Sequence, residues 1–268
     1  MRLSRSLALL SFIAMPTCTA QPAGKQCTHV DLTSGDIEKC VAVNIEWEAL
    51  SAAQVENLIR ALAAPDMRFL RLRATELSAE QSEAIMKAAS LSTTLEHLIF
   101  RDHAFSTGAA KNLAALLAAG GKLKAVDLRD TALHDEGAIA VAKGLGQNQR
   151  LKFLTLEGCD LGPDGMASLG SAVANHPTLQ AFHVHNNPIG DAGAVALGAA
   201  VQAQGAAGGP LQEVLVSPHP NIGKEGRAAL QSAARANNEA VKMWDKQRVK
   251  IRKSWAHNYG PETVKEEL

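Results

Sequence analysis

Three arginines stand at intervals of 28 residues, Arg73, Arg101 and Arg129, and an acidic residue directly follows two of them, Asp102 and Asp130. A guanidinium presents a planar fork of donors that fits a carboxylate on a partner, so such a series can anchor protein recognition. Trp47, Arg71, Asp127, His183 and His185 complete the candidate partner-binding set. The two histidines are separated by one residue, which on a strand places them on the same side about 7 Å apart. They could make a contact that responds to pH. A metal would need further ligands, and His97, His103 and Asp127 are scattered along the chain, so no metal site is expected. The sequence has no phosphate-binding glycine loop, no G-x-S-x-G and no Cys-x-x-Cys. The expectation is a protein that is not an enzyme and carries no cofactor.

What must position these side chains is a repeat. The pattern L-x-x-L-x-L opens at Cys40, Met67, Leu95, Leu123, Leu151, Leu179 and Leu211, with intervals of 27, 28, 28, 28, 28 and 32. A fixed period of this size marks a solenoid, whose units bury their apolar faces only against one another. One unit is clear at Leu151-x-x-Leu154-x-Leu156-x-x-Cys159-x-Leu161, followed by Gly165, Leu169 and Val173. Its first half alternates like a half-buried strand. Its second half carries apolar residues four apart, as the inner face of a short helix does. Gly137, Gly165, Gly193 and Gly226 recur at one repeat position and are read as strand-to-helix turns.

These units resemble the leucine-rich repeat family, in the 28-residue class found in ribonuclease inhibitor and in the sensing regions of NOD-like receptors. The resemblance covers about residues 40–235. It implies an α/β solenoid of about seven β-α repeats, a horseshoe with parallel strands on its concave face and helices on its convex face. The family's turn position, which takes Asn or Cys, falls on Glu48, Thr75, His103, Thr131, Cys159 and Asn187. Only the last two fit, so the polar spine should be less regular in the N-terminal half, with Cys159 a buried structural thiol. The outward residues then form rows. One holds Asn44, Arg71, Ile99, Asp127, Thr155, His183 and Leu215, the next Glu46, Arg73, Arg101, Arg129, Glu157, His185 and Ser217. The arginines either neutralise their neighbours, as Arg101–Asp102 and Arg129–Asp130, or form a recognition patch.

The ends carry further signals. Arg2 and Arg5 precede an apolar run, Leu7 to Met15, and small residues lead to Ala20, as in a cleaved secretory signal over residues 1–20. That run is too short to span a bilayer. The last four residues, Lys-Glu-Glu-Leu, are similar to KDEL-type retrieval signals of the endoplasmic reticulum. In an oxidising compartment Cys27 and Cys40 would pair and staple an N-terminal cap over residues 21–39. Ala203–Pro210 adds four residues, read as a bulged edge loop or as drift near the end of the array. A basic amphipathic capping helix is expected over 236–256, with a flexible tail over 257–268. Lys plus Arg, 27, equals Asp plus Glu, 27, so total charge predicts neither nucleic acid nor acidic membrane as partner.

The reading is a monomeric, non-catalytic scaffold of the endoplasmic reticulum lumen that binds a protein partner through its concave face. The alternatives are a secreted or periplasmic recognition protein, or a regulator of an enzyme such as a GTPase activator or inhibitor.

Overall fold

The structure is a computed structural model and describes residues 24–243, except 36, 38, 218, 219 and 238–240. The signal, the basic segment beyond Met243 and the final four residues lie outside the described residues.

Among the described residues nine strands lie in chain order in one parallel sheet, each joined to the next by a helix. They are β1 (Lys25–Cys27), β2 (Cys40–Glu46), β3 (Phe69–Arg73), β4 (His97–Arg101), β5 (Ala125–Asp127), β6 (Phe153–Thr155), β7 (Ala181–His183), β8 (Glu213–Val216) and β9 (Val241–Met243). The helices between them are α1 (His29–Ser34), α2 (Ala52–Leu62), α3 (Ala79–Ser90), α4 (Thr107–Ala118), α5 (His134–Leu145), α6 (Pro163–Ala174), α7 (Gly190–Ala206) and α8 (Lys224–Ala236). This is the leucine-rich-repeat solenoid expected from the sequence.

Alternation drives the strands. Leu70 with Leu72, Leu98 with Phe100 and Leu154 with Leu156 are fully buried and share one core with Ile85, Leu113 and Leu169 of the helices. Each such side chain contributes roughly 1.5–3 kcal/mol by leaving water. The first three full repeats start their helices alike. Ser51, Ser78 and Ser106 accept from the backbone N–H three residues on, and Gln54 and Gln81 close reciprocal capping boxes.

Later helices start differently. Asp135 Oδ1, in the first turn of α5, accepts from Gly162 N at 2.7 Å and Gly165 N at 2.9 Å, capping α6 from the neighbouring repeat. Asp191 of α7 does the same for α8 through Gly223 N and Gly226 N, at 2.6 and 3.0 Å. This corrects the reading of the recurrent glycines. Gly137, Gly165, Gly193 and Gly226 sit inside the first helical turns, where the preceding helix, or at Gly137 the Leu133 side chain, lies too close for a side chain. A Cβ on Gly165 would lie 2.5 Å from Asp135 Oδ1 and 2.9 Å from Ala138 Cβ.

Three segments add to or depart from the expectations. The cap begins as a full strand and helix, since β1 pairs in parallel with β2. Cys27 and Cys40 join these two strands in a disulfide with Cα atoms 5.7 Å apart. The extra residues after Ala203 do not bulge. They lengthen α7 to 17 residues against 12 in α3 to α6, and Gln204 Nε2 donates to Val173 O and His176 O, closing the end of α6. Finally, Val241–Met243 is a strand pairing with β8, where a helix was expected over 236–256. Without this strand the edge of β8 would offer unpaired backbone groups, which the pairing satisfies.

Candidate functional site

The register aligns the candidate residues as the repeat requires. Asn44, Arg71, Ile99, Asp127, Thr155, His183 and Leu215 are successive partners across β2 to β8, and Glu46 faces Arg73, which faces Arg101. These side chains occupy the sheet face opposite the helices.

In the turn after each strand from β2 to β7 the same repeat position has a left-handed backbone: Trp47, Ala74, Asp102, Asp130, Gly158 and Asn186, with φ between 48° and 64°. The turn aims each N–H at the next repeat. Trp47 N donates to Arg73 O at 2.9 Å, Ala74 N to Arg101 O at 3.2 Å and Asp130 N to Glu157 O at 2.9 Å. Sequence reasoning did not see this turn. The signal was there, because Asp, Asp, Gly and Asn tolerate this conformation and recur at the same point. Trp47 and Ala74 are the exceptions, and Trp47 is a bulky residue in a conformation that costs roughly 1–2 kcal/mol.

Trp47 is 64% exposed, and the Arg73 guanidinium carbon sits 4.5 Å from its ring centroid. Arg73 Nε also reaches Asp102 Oδ2 at 3.3 Å. Arg71 pairs with Glu46 at 2.8 Å. The arginine pairings therefore differ from the expected Arg101–Asp102 and Arg129–Asp130. Arg101 and Arg129 both turn onto Asp127, the latter with Nη2 at 2.9 Å from Oδ2. Asp127 is 4% exposed. Burial alone would raise its carboxyl, but the Arg129 and Arg101 charges outweigh it and hold it well below the usual carboxylate range.

Asp130 takes part in no ion pair among the described residues. Burial raises its carboxyl above the usual range, with Glu157 and Asp102 adding repulsion. Glu157 is shared between His185, 2.8 Å away, and Arg129, 3.8 Å away. His183 lies 3.5 Å from Glu213, and burial lowers its pKa. The two histidine rings are 6.5 Å apart and both residues are buried, which departs from the solvent-facing pair expected on a strand. Among the described residues no group of His, Cys, Asp and Glu could hold a metal ion, and no helix is long and apolar enough to cross a membrane.

Beneath the site runs the polar spine. Asn187 Oδ1 accepts from Cys159 N and Leu161 N, at 2.9 and 3.1 Å, and its Nδ2 donates to Leu156 O, Val184 O and His185 O. The Cys159 thiol donates to Leu128 O and is pushed up to about 12 by burial. Thr131 Oγ1 also donates to Leu128 O. Thr75 and His103, 3.4 Å apart, are buried at the same position, whereas Glu48 is exposed and pairs with His29.

Sequence reasoning missed a groove of about 500 Å³ beside the sheet, lined by Phe105, Thr107, Leu133, His134, Asp135, Glu136, Asp160, Gly162 and Pro188. Its residues come from four repeats, from the turns after the strands and the first turns of α4 and α5, where the strand and helix periodicities do not reveal a shared groove.

Three consecutive segments, residues 122–142, 147–170 and 175–198, match the family model described as Leucine Rich repeat. Among solved structures the chain is similar to one titled Leiomodin-1 Actin-Binding Site 2, at 16% identity and a TM-score of 0.43, covering 78% of this chain and 99% of that one. No curated protein matches.

Proposed function

We propose that this leucine-rich-repeat chain is a non-catalytic protein-binding scaffold of the secretory pathway, retained in the endoplasmic reticulum lumen, that recognises its partner through the outer face of its sheet. The observation that carries the reading is the unbroken register from β2 to β8, which fixes side chains from consecutive repeats on one rigid surface. A surface already ordered before contact loses little conformational entropy on docking. Trp47 with Arg73 is the natural anchor, because Trp and Arg dominate the binding energy of protein interfaces. The Cys27–Cys40 disulfide suits an oxidising compartment. The retrieval role rests on the terminal Lys-Glu-Glu-Leu and the apolar run behind Arg2 and Arg5.

The test is expression of the full chain in animal cells with a tag after residue 22, with and without the last four residues. Retention that gives way to secretion on deletion supports lumenal retrieval. Secretion of both forms removes it and favours an extracellular or envelope binder. Cross-linking in the same cells should capture a protein partner from the intact chain and not from a Trp47→Ala, Arg73→Ala double variant. Equal capture by both would remove the anchor from the reading.

A further inference from the structure

The inward turn of the arginines leaves the neighbouring edge of the sheet negative. Glu48, Glu76, Asp102, Asp130 and Asp160 come from five successive repeats, each lies just past a strand, and all five are exposed. Two of them have partners, Asp102 at 3.3 Å from Arg73 Nε and Glu48 at 3.1 Å from His29 Nδ1. Arg101 and Arg129 converge on Asp127, and Arg73 stacks on Trp47. Asp160 faces His134 Nδ1 at 3.0 Å, a group that carries a full charge only when protonated. A neutral chain thus has an acidic edge.

Asp160 of that edge lines the groove of about 500 Å³. Phe105, Leu133 and Pro188 give the groove an apolar floor, and Glu136 and Asp160 stand exposed on its rim. His134 and Asp160 hold left-handed conformations, with φ 53° and 57°. Non-glycine residues persist there only when the surroundings fix them. Here the fixing contact is His134 N donating to Cys159 O at 3.0 Å, so the rim is part of the ordered spine and not a loose loop. Asp135, also in the lining, is committed to capping α6.

We propose that this groove is a docking site for a segment of a protein partner that alternates Lys or Arg with aliphatic residues, its aliphatic side chains on Phe105, Leu133 and Pro188 and its cations facing Glu136 and Asp160 on the rim and Asp130 on the acidic edge beyond it. The proposal rests on the protein-binding reading above and names the chemistry of the partner and a second contact region beyond Trp47. The charge of the rim selects cations, and the floor separates such a segment from a small polyamine, which has no branched apolar side chains to seat. Both requirements arise from different residues.

The test uses the full chain and a fluorescein-labelled hexapeptide, Arg-Leu-Lys-Leu-Arg-Ser, followed by fluorescence anisotropy at low and physiological salt. A peptide with Glu in place of each basic residue is the first control. A second peptide, with Ser in place of each Leu, isolates the floor. The triple variant Asp130→Asn, Glu136→Gln, Asp160→Asn removes the rim charge while keeping side chains of the same size. A Glu56→Gln, Asp66→Asn variant removes equal-sign charge from elsewhere on the surface. The expected result is salt-sensitive binding of the Leu-bearing basic peptide, weakened at least tenfold in the triple variant and within twofold of wild type in the distal one. Weaker binding of the Ser peptide is also expected. Equal losses in both variants would reduce the effect to net charge and overturn the site. So would absence of binding, or concentration-dependent self-association of the full chain in sedimentation that the triple variant abolishes. If the cellular partner is lost from the Trp47 and Arg73 double variant but kept by the triple variant, the scaffold stands and the groove does not. Capture by neither form nor by the intact chain would fail the scaffold reading itself.

Discussion

Trp47 lies against Arg73 across two adjacent strands, with the guanidinium carbon 4.5 Å from the indole centroid, although its own backbone sits at φ 64°. The contact and the strain act in opposite directions on stability. A cation–π pair at an exposed site gains about 0.5–1 kcal/mol. Left-handed backbone costs an L-residue roughly 1–2 kcal/mol, and glycine avoids that cost. Trp47→Gly is therefore expected to unfold in urea within about 1 kcal/mol of wild type, and Trp47→Ala to be less stable than Trp47→Gly. Equal midpoints for the two variants would mean that the turn is not strained.

Asn187 ties two repeats together through five hydrogen bonds. Asn187→Ala strands buried backbone groups on both sides, each costing about 1–3 kcal/mol. A loss of at least about 3 kcal/mol in equilibrium unfolding is expected, far beyond Thr131→Ala, which removes a hydroxyl whose target Leu128 O keeps the Cys159 thiol. Similar losses for both would refute the central place given to Asn187.

Acid should weaken the fold before the carboxylates titrate. Burial lowers His103 and His176 to about 4, so both are neutral in the folded chain. Unfolded histidine titrates near 6.5. A base with a depressed folded pKa contributes its full stability above the unfolded value, and that contribution is lost as pH falls from about 6.5 towards 4. Moving from pH 7 to pH 5 is expected to cost about 1–2 kcal/mol for each of these residues. A His176→Gln variant should show a shallower decline in urea midpoint across that window. An unchanged slope would place the acid sensitivity elsewhere.

The Cys27–Cys40 bridge closes a short loop, the residues being 13 apart in sequence, and its effect should be local. Replacing both cysteines by alanine is expected to remove about 3 kcal/mol from the N-terminal unit. Hydrogen exchange would show lost protection in β1, α1 and α2, because His29 and Thr33 hold Gln54 and Leu32 O holds Asn57. Protection in α5 to α7 should survive. Uniform loss along the chain would argue for one cooperative unit instead.

Cys159 should be inert in the folded state, since it is fully buried and its thiol is pushed up to about 12. Iodoacetamide at pH 8 is expected to label it only after denaturation. Rapid native labelling would contradict its place in the spine.

The repeat fold was legible because its two periodicities are strong. Leucines two apart and then four apart dictate strand and helix, and the interval of 28 dictates parallel register, so the rows containing Arg71, Asp127 and His183 could be written down in advance. The pairing within those rows could not. Adjacent numbers suggested Arg101–Asp102, but the left-handed turn at Asp102 swings its side chain away from the strand direction, and Arg101 meets Asp127 of the next strand instead. The tract after Ala203 was left open between a bulged loop and drift for a related reason. Glycine and alanine together read as a loop, yet helix continuation buries Gln204 against the open carbonyls of α6. The strand at Val241–Met243 depended on a vacant sheet edge, a property of the assembled molecule and not of the segment.

The carboxylate that starts α6 belongs to α5, and the one that starts α8 belongs to α7. Asp135 and Asp191 are 56 residues apart, two periods of the repeat. In this half of the chain the heritable tile is consequently a pair: one helix that gives a cap and one that receives it. Excising a single repeat would set two givers or two receivers side by side, while excising a pair would leave every junction matched. The solenoid can grow or shrink here in double steps more readily than in single ones.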